Sequence, residues 1–230
     1  MIFKKPYFWD LPKPTIISYL LIPFSIPIML RNFLFKFFKK KKSSKIKTVC
    51  IGNIYLGGTG KTPLTIKIFE ILKKLKLNIA TVKKNYTDQK DEQLLLYKKT
   101  SLIVAQSRKK AIKQGLDKNL DFLIFDDGLQ ELRIEFDFKF VCFKSKSWIG
   151  NGQLIPAGPM REKISSLKRF DAVFLNGYSN NLDLIESQIK KINSNIKIFR
   201  TFYKIPNIEK YNLKSKYLIF SGIGNPSDFR

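Results

Sequence analysis

The sequence predicts an α/β fold, a doubly wound and mainly parallel sheet, preceded by a helical N-terminal segment that lies at a membrane interface. Three observations predict it. Short apolar runs alternate with helical patterns through residues 43–230, a glycine-rich turn ending in Gly-Lys-Thr follows the first of those runs, and residues 1–42 join an uncharged stretch to a lysine cluster.

From Ile16 to Leu30 there is no charged residue. Arg31 then intervenes, and an aromatic run leads into Lys39–Lys42. The uncharged run of 15 residues is shorter than the roughly 20 that a membrane-crossing helix needs. Pro23 and Pro27 would kink or break a straight helix. No small-residue cleavage site follows, which argues against a secretory signal. Tyr7, Phe8, Trp9, Tyr19, Phe33 and Phe35 around the run, with the lysines after it, suit a segment lying in the interface. The competing reading is a helical hairpin packed on the domain, with the lysines as a solvated linker.

After Ser43-Ser44, apolar runs that read as strands are Thr48–Ile51, Ile79–Val82, Ser101–Ala105, Phe122–Phe125, Phe138–Phe143, Ala172–Leu175, Ile196–Phe199 and Tyr217–Phe220. Helical patterns lie between several of them, notably Pro63–Leu75, Glu92–Lys99 and Leu182–Ile192. Strands apolar on both faces and separated by helices belong to a parallel sheet covered on both sides. Ser221–Asp228 reads as a further turn and helix start close to Arg230.

Composition narrows the chemistry. The 230 residues contain no histidine, which excludes a Ser-His-Asp triad, a Cys-His pair and a histidine-ligated metal. Cys50 and Cys142 stand apart in apolar runs and read as buried thiols of a reducing compartment. The 43 basic residues exceed the 18 acidic ones by 25, which attracts polyanions without identifying one. Part of that excess follows the general richness in Lys, Ile, Asn and Phe.

The sharpest motif is Gly52–Thr62. A strand, a glycine-rich turn ending in Gly-Lys-Thr and then an amphipathic helix form the arrangement of a phosphate-binding loop. Gly57, Gly58 and Gly60 let backbone amides, that of Thr59 included, curl around phosphate oxygens. Lys61 reaches the β- and γ-phosphates, and the Thr62 hydroxyl ligates Mg²⁺. Tyr55 stands where the strict pattern has its first glycine. A second motif is the apolar strand ending in Asp126 and Asp127, the carboxylates that the magnesium side of such a site requires. A third is Gly150–Glu162, a loop constrained by three glycines and two prolines, in which Arg161 is a candidate anion ligand. The fold class is thus P-loop NTPase-like, with a nucleotide and Mg²⁺ as the implied ligands.

Read together and in order, GN-x3-GGTGKTP, DDGLQ, GNGQLIPAGPMRE with LKRFDAVFLNG, and FSGIGNP resemble the lipid A 4′-kinases, the tetraacyldisaccharide 4′-kinase family. The resemblance implies transfer of the γ-phosphate of ATP to the 4′-hydroxyl of a tetraacylated glucosamine disaccharide 1-phosphate. It implies Mg²⁺, a peripheral place on the cytoplasmic face of the inner membrane, and no nucleic acid partner. Carried over by position, it places the loop lysine at Lys61, the magnesium-side hydroxyl at Thr62 and the paired aspartates at Asp126 and Asp127. The family's Gly-Asp-Glu-Pro motif falls on Lys90–Gln93, which makes Asp91 the candidate base for the hydroxyl. Arg108 and Arg161 fall where the family has arginines near its ligands.

The chain departs from the family in four places. Lys84-Asn85-Tyr86-Thr87 stands for Arg-Gly-Tyr-Gly, the loop before Asp91 is shorter, and Glu131 replaces a histidine. A later Asp-His-His motif has no counterpart before Arg230. The expected organisation is therefore a membrane-associated segment over 1–42 and a kinase core over 43–230, its C-terminal lobe cut short. Two other readings stay open. One is an impaired relative that binds nucleotide and membrane without transferring phosphate. The other is a P-loop NTPase acting on a different anionic partner such as nucleic acid, although the basic and aromatic residues cluster beside the apolar N-terminus.

Overall fold

A computed structural model of the chain describes residues 5–34, 41–42, 45–84, 90–129, 131, 134–204, 208–212 and 216. The expected strand Tyr217–Phe220 and the Ser221–Asp228 turn lie outside the described residues.

Seven strands form one sheet: β1 Lys47–Gly52, β2 Ile79–Lys84, β3 Leu102–Ala105, β4 Phe122–Asp126, β5 Phe138–Lys144, β6 Ala172–Asn176 and β7 Lys197–Thr201. Their spatial order is β3-β2-β4-β1-β5-β6-β7, and every pairing is parallel. β1 lies at the centre, with Ile51 opposite Asp126 on one side and Phe140 on the other.

Alternation along β1 divides its side chains between the two faces. Val49 and Ile51 join Phe69 of α3 (Lys61–Lys74) in one core cluster. Cys50 joins Ala111 of α5 (Arg108–Asp117) in another. Helices therefore cover both faces, and the expected doubly wound architecture is observed. A third cluster packs Val141, Phe143, Val173 and Leu175 against Ile185 and Ile189 of α6 (Leu182–Ile192). The remaining core helix, α4 (Lys90–Lys99), buries Leu96. A short additional pairing joins Lys41–Lys42 to Ile134–Glu135 in parallel.

The N-terminal segment reverses the usual amphipathic pattern. Helix α1 (Ile16–Leu21), a 3₁₀ turn over Ile22–Ser25 and α2 (Ile26–Leu34) form one helical run. Thr15 and Ser18 cap its start reciprocally, which satisfies two otherwise orphaned amides. Pro23 opens the 3₁₀ turn and Pro27 lies in the first turn of α2, where a missing N–H costs least. The run of 19 residues has a mean hydropathy of 1.5, long and apolar enough to cross a membrane by length and composition. Its buried residues, however, are Ser18 and Ser25, whereas Ile16, Tyr19, Leu20, Phe24, Leu30 and Phe33 are exposed.

Those serines face the Gly150–Glu162 loop. Ser25 Oγ donates to Leu154 O at 3.1 Å. Asn151 Nδ2 lies within hydrogen-bonding distance of Phe8 O, Ser18 Oγ and Ala157 O, at 3.2, 3.0 and 3.0 Å. Trp9 Nε1 donates to Pro156 O at 3.0 Å, and Trp9 O accepts from Asn151 N at 3.0 Å. Gly150 must be glycine, since a Cβ there would lie 2.1 Å from Trp9 O at a φ of +57°. Asn151→Ala is expected to leave buried carbonyls unsatisfied at a cost of about 2 kcal/mol. Urea unfolding in detergent should show a lower midpoint with an unchanged slope.

Candidate functional site

The carboxyl ends of parallel strands are where open α/β sheets bind ligands, and Lys61, Thr62, Asp126 and Asp127 gather there. β1 runs into the glycine turn, which Asn53 Nδ2 closes by donating to Gly57 O at 3.0 Å. Gly57 has a φ of +139° and Gly60 of +84°. Gly60 is also crowded, because a Cβ would meet Asn176 Nδ2 at 2.4 Å and the Tyr203 hydroxyl at 2.9 Å. Lys61 and Thr62 open α3 directly after it. The Thr59 hydroxyl is buried and without a hydrogen-bond partner among the described residues.

Tyr55 explains the departure from the strict glycine pattern. Its ring is buried and its hydroxyl donates to Asp10 Oδ1 at 2.5 Å. Burial, then Asp10, holds its pKa well above the ordinary tyrosine value. A second brace comes from the Gly150–Glu162 loop, where Leu56 N donates to Pro159 O at 2.8 Å and Arg161 N to Ile54 O at 2.7 Å. The phosphate-type turn is therefore pinned between the N-terminal segment and that loop.

Asp126 is the polar centre. Its side chain is fully buried. Oδ2 accepts from Thr62 Oγ1 at 3.0 Å and from Lys83 Nζ at 2.8 Å, and Oδ1 accepts from Thr65 Oγ1 at 3.4 Å. Lys83 also pairs with Glu92 in the first turn of α4. Burial disfavours the Lys83 charge, but Asp126 and then Glu92 outweigh it and raise its pKa above the usual lysine value. Asp127 follows with a φ of +62°, held by its N–H to Ile51 O at 2.8 Å. Its Oδ1 is buried and has no hydrogen-bond partner among the described residues.

Arg108 donates to the Asp127 carbonyl and pairs with Glu131 at 3.2 Å. Its guanidinium thus secures the Asp-Asp-Gly turn from the protein side. Arg161 lies apart from it, lining a cleft with Arg31, Asn32, Ile155 and Glu162, and its carbonyl accepts from Asn32 Nδ2 at 2.9 Å. Asp91 is exposed on the first turn of α4, beside Glu92. The sequence reading brought Lys61, Thr62, Asp126 and Asp127 to one sheet edge, and the fold does so. It missed Lys83, Glu92, Thr65 and Asn176. A lysine placed in strand alternation after Ile79 and Thr81 was the available signal for Lys83.

A buried carboxylate, a second carboxylate with an orphaned oxygen and a threonine hydroxyl make an all-oxygen donor set that fits Mg²⁺. No group of three acidic, Cys or His side chains is gathered among the described residues. Water and phosphate oxygens would complete the shell, which is the ordinary habit of this ion.

Both cysteines are buried. Burial pushes the Cys142 thiol up to about 12, with Lys61 opposing, and raises Cys50 as well, with Arg108 opposing. An unfolded thiol ionises near 8.5. The neutral thiol's contribution to stability is therefore complete below that value and is lost as pH rises towards the folded pKa. An aromatic disulfide reagent at pH 8 is expected to titrate both thiols only in denaturant. Prompt reaction of the folded protein would contradict the burial.

Comparison with known proteins identifies the family. The profile of the family described as LpxK, tetraacyldisaccharide-1-P 4′-kinase, matches residues 17–230. The tetraacyldisaccharide 4′-kinase of Pelagibacter ubique is 48% identical over 226 residues, covering 98% of this chain and 72% of the relative. That of Rickettsia canadensis is 32% identical over 243 residues, covering 97% of this chain and 72% of the relative. LpxK from Aquifex aeolicus, crystallised in complex with ATP, aligns with a TM-score of 0.59 over 90% of this chain and 87% of that one. At 20% identity this is a likeness of fold.

Proposed function

Because the chain belongs to the tetraacyldisaccharide-1-P 4′-kinase family, we propose that it transfers the γ-phosphate of ATP to the 4′-hydroxyl of a tetraacylated disaccharide 1-phosphate at the cytoplasmic face of the inner membrane. The observation that carries this reading is the contact of Thr62 with buried Asp126 beneath a glycine turn at the carboxyl edge of the sheet.

In this reading the amides of Gly57–Lys61 and the Lys61 ammonium hold the β- and γ-phosphates. Thr62, Asp126 and Asp127 hold Mg²⁺, which when bound neutralises charge on those phosphates. The acceptor oxygen bonds to the γ-phosphorus while the bond to the β–γ bridging oxygen breaks. The hydroxyl proton passes to the Asp91 carboxylate. An ordinary aspartate is a weak base, but a loose transition state needs positioning more than basicity. Arg161, in the cleft beside α2, takes the acceptor's phosphate, whereas Arg108 keeps the Asp-Asp-Gly turn in place.

The exposed apolar side chains of Ile16–Leu34 supply the membrane contact. A helix with serines turned inward and Ile, Leu and Phe turned outward suits a lipid surface. The segment is read as lying on the membrane, latched to the loop that braces the phosphate turn, and residues 1–42 as the membrane-associated unit on the 43–230 core.

ADP release in detergent micelles, with Mg-ATP and with or without tetraacyldisaccharide 1-phosphate, tests the kinase reading. Lipid-dependent turnover is expected, falling about a hundredfold or more in Asp91→Ala and to background in Lys61→Ala. ATP binding without lipid-dependent turnover would instead support a nucleotide-binding relative. Flotation with anionic vesicles is expected to be lost when Leu20, Phe24 and Leu30 are all changed to Ser.

A further inference from the structure

Lys83 takes no part in the chemistry just described, yet it has one of the largest wholly buried side chains among the described residues, at 1% exposure. A lone ammonium in such a place is costly unless paired. Two carboxylates from different elements pair with it: Asp126, at the end of β4, at 2.8 Å, and Glu92, in the first turn of α4. The same Asp126 oxygen accepts from Thr62, the residue that follows Lys61. One ammonium therefore links α4 to the residue assigned to Mg²⁺. Its burial keeps Nζ away from solvent, so it cannot meet a phosphate as Lys61 does without the tether first opening.

The first turn of α4 also carries Asp91, the neighbour of Glu92. Behind that turn α4 is anchored by buried Leu96 and by Thr100, whose Oγ1 lies 2.6 Å from that of Thr81. The helix body thus packs through apolar and hydroxyl contacts, while its first turn is bound to the site by the Lys83 ion pair and by Gln93 Nε2, which donates to Lys84 O at 3.4 Å.

We propose that Lys83 is a positioning residue for phosphoryl transfer: by bridging Asp126 and Glu92, its ammonium fixes the first turn of α4, and Asp91 with it, relative to the phosphate-binding turn. The inference rests on the kinase reading above for its catalytic consequence, and on the ion-pair geometry alone for the tether.

Lys83→Met removes the charge and keeps the length. Its kcat is expected to fall about tenfold to a hundredfold, as misplacement of a reacting group does, while the Kd for Mg-ATP stays within about threefold, the signature of a group acting only on the transition state. The double variant Lys83→Met, Glu92→Gln should be no slower than Lys83→Met alone, because both changes cut one tether. Hydrogen exchange of the α4 amides should quicken in Lys83→Met while that of α3 does not. Loss of ATP affinity in step with kcat/KM, multiplying effects in the double variant, or unchanged α4 exchange would each overturn the proposal. If Lys83→Met does not fold, Glu92→Gln alone, at a half-exposed position, should show the same fall in kcat at unchanged ATP affinity, and an unchanged kcat would refute it. A wild-type protein without lipid-dependent turnover would defeat the kinase reading but not the tether, which α4 exchange then decides.

Discussion

A carboxylate with no access to water must find its hydrogen bonds inside the protein, and Asp126 finds them on two other elements. Thr62 and Thr65 reach it from α3, Lys83 from β2, and its own strand supplies the backbone. The two threonine bonds fix how the helix after the glycine turn sits on the sheet, and so where the turn's amides point. It also accounts for a buried lysine, since an ammonium is the strongest partner available to a carboxylate in a low-dielectric interior. The apolar clusters on either face hold the layers together without choosing among registers of this accuracy. The polar network is what specifies the edge.

The N-terminal segment answers the opposite constraint. There, polar groups are the ones turned inward: Ser18, Ser25, Asn32 and the Trp9 indole N–H all bond the Gly150–Glu162 loop or its Asn151 side chain. Phe8 and Trp9 are buried, but the large apolar groups of Ile16–Leu34 are left mostly outside. For a helix whose whole surroundings were water this would forgo most of the burial that stabilises surface helices. Specific hydrogen bonds fix the segment's place on the protein and leave the apolar surface of its helices uncovered.

Much of the sheet was legible in the sequence, because strands buried on both faces show as unbroken apolar runs. Their carboxyl ends were not. The ladders continue through Gly52, Lys84, Asp126, Lys144 and Asn176, where hydrophobicity has already stopped but backbone pairing has not. Those polar ends face the site, so pattern reading erred where function begins. Helix α5 escaped notice because Arg-Lys-Lys-Ala-Ile-Lys-Gln-Gly buries only Ala111 and Gly115. Strand alternation marks the position of Lys83 but not its partner, Asp126, which lies 43 positions away. Local motifs marked Lys61, Thr62, Asp126 and Asp127, whereas the residues that hold them in place are joined through long-range contacts, which a single sequence does not display.

Tyr55 shows why a departure from a motif is worth a structural reason. The strict pattern asks for glycine there, and this chain supplies a buried aromatic ring whose hydroxyl bonds Asp10. The turn that the pattern identifies as phosphate-binding is thereby tied to the segment that turns its apolar side outward. The Gly150–Glu162 loop makes the same connection a second time, bonding Ile54 and Leu56 with one part and Ser25 and Trp9 with another. A kinase acting on a lipid must hold a soluble nucleotide and a membrane-embedded acceptor at one distance, and a flexible joint between their two binding elements would spread that distance over many values. Two independent braces leave the glycine turn and the N-terminal segment of this protein little freedom to move apart.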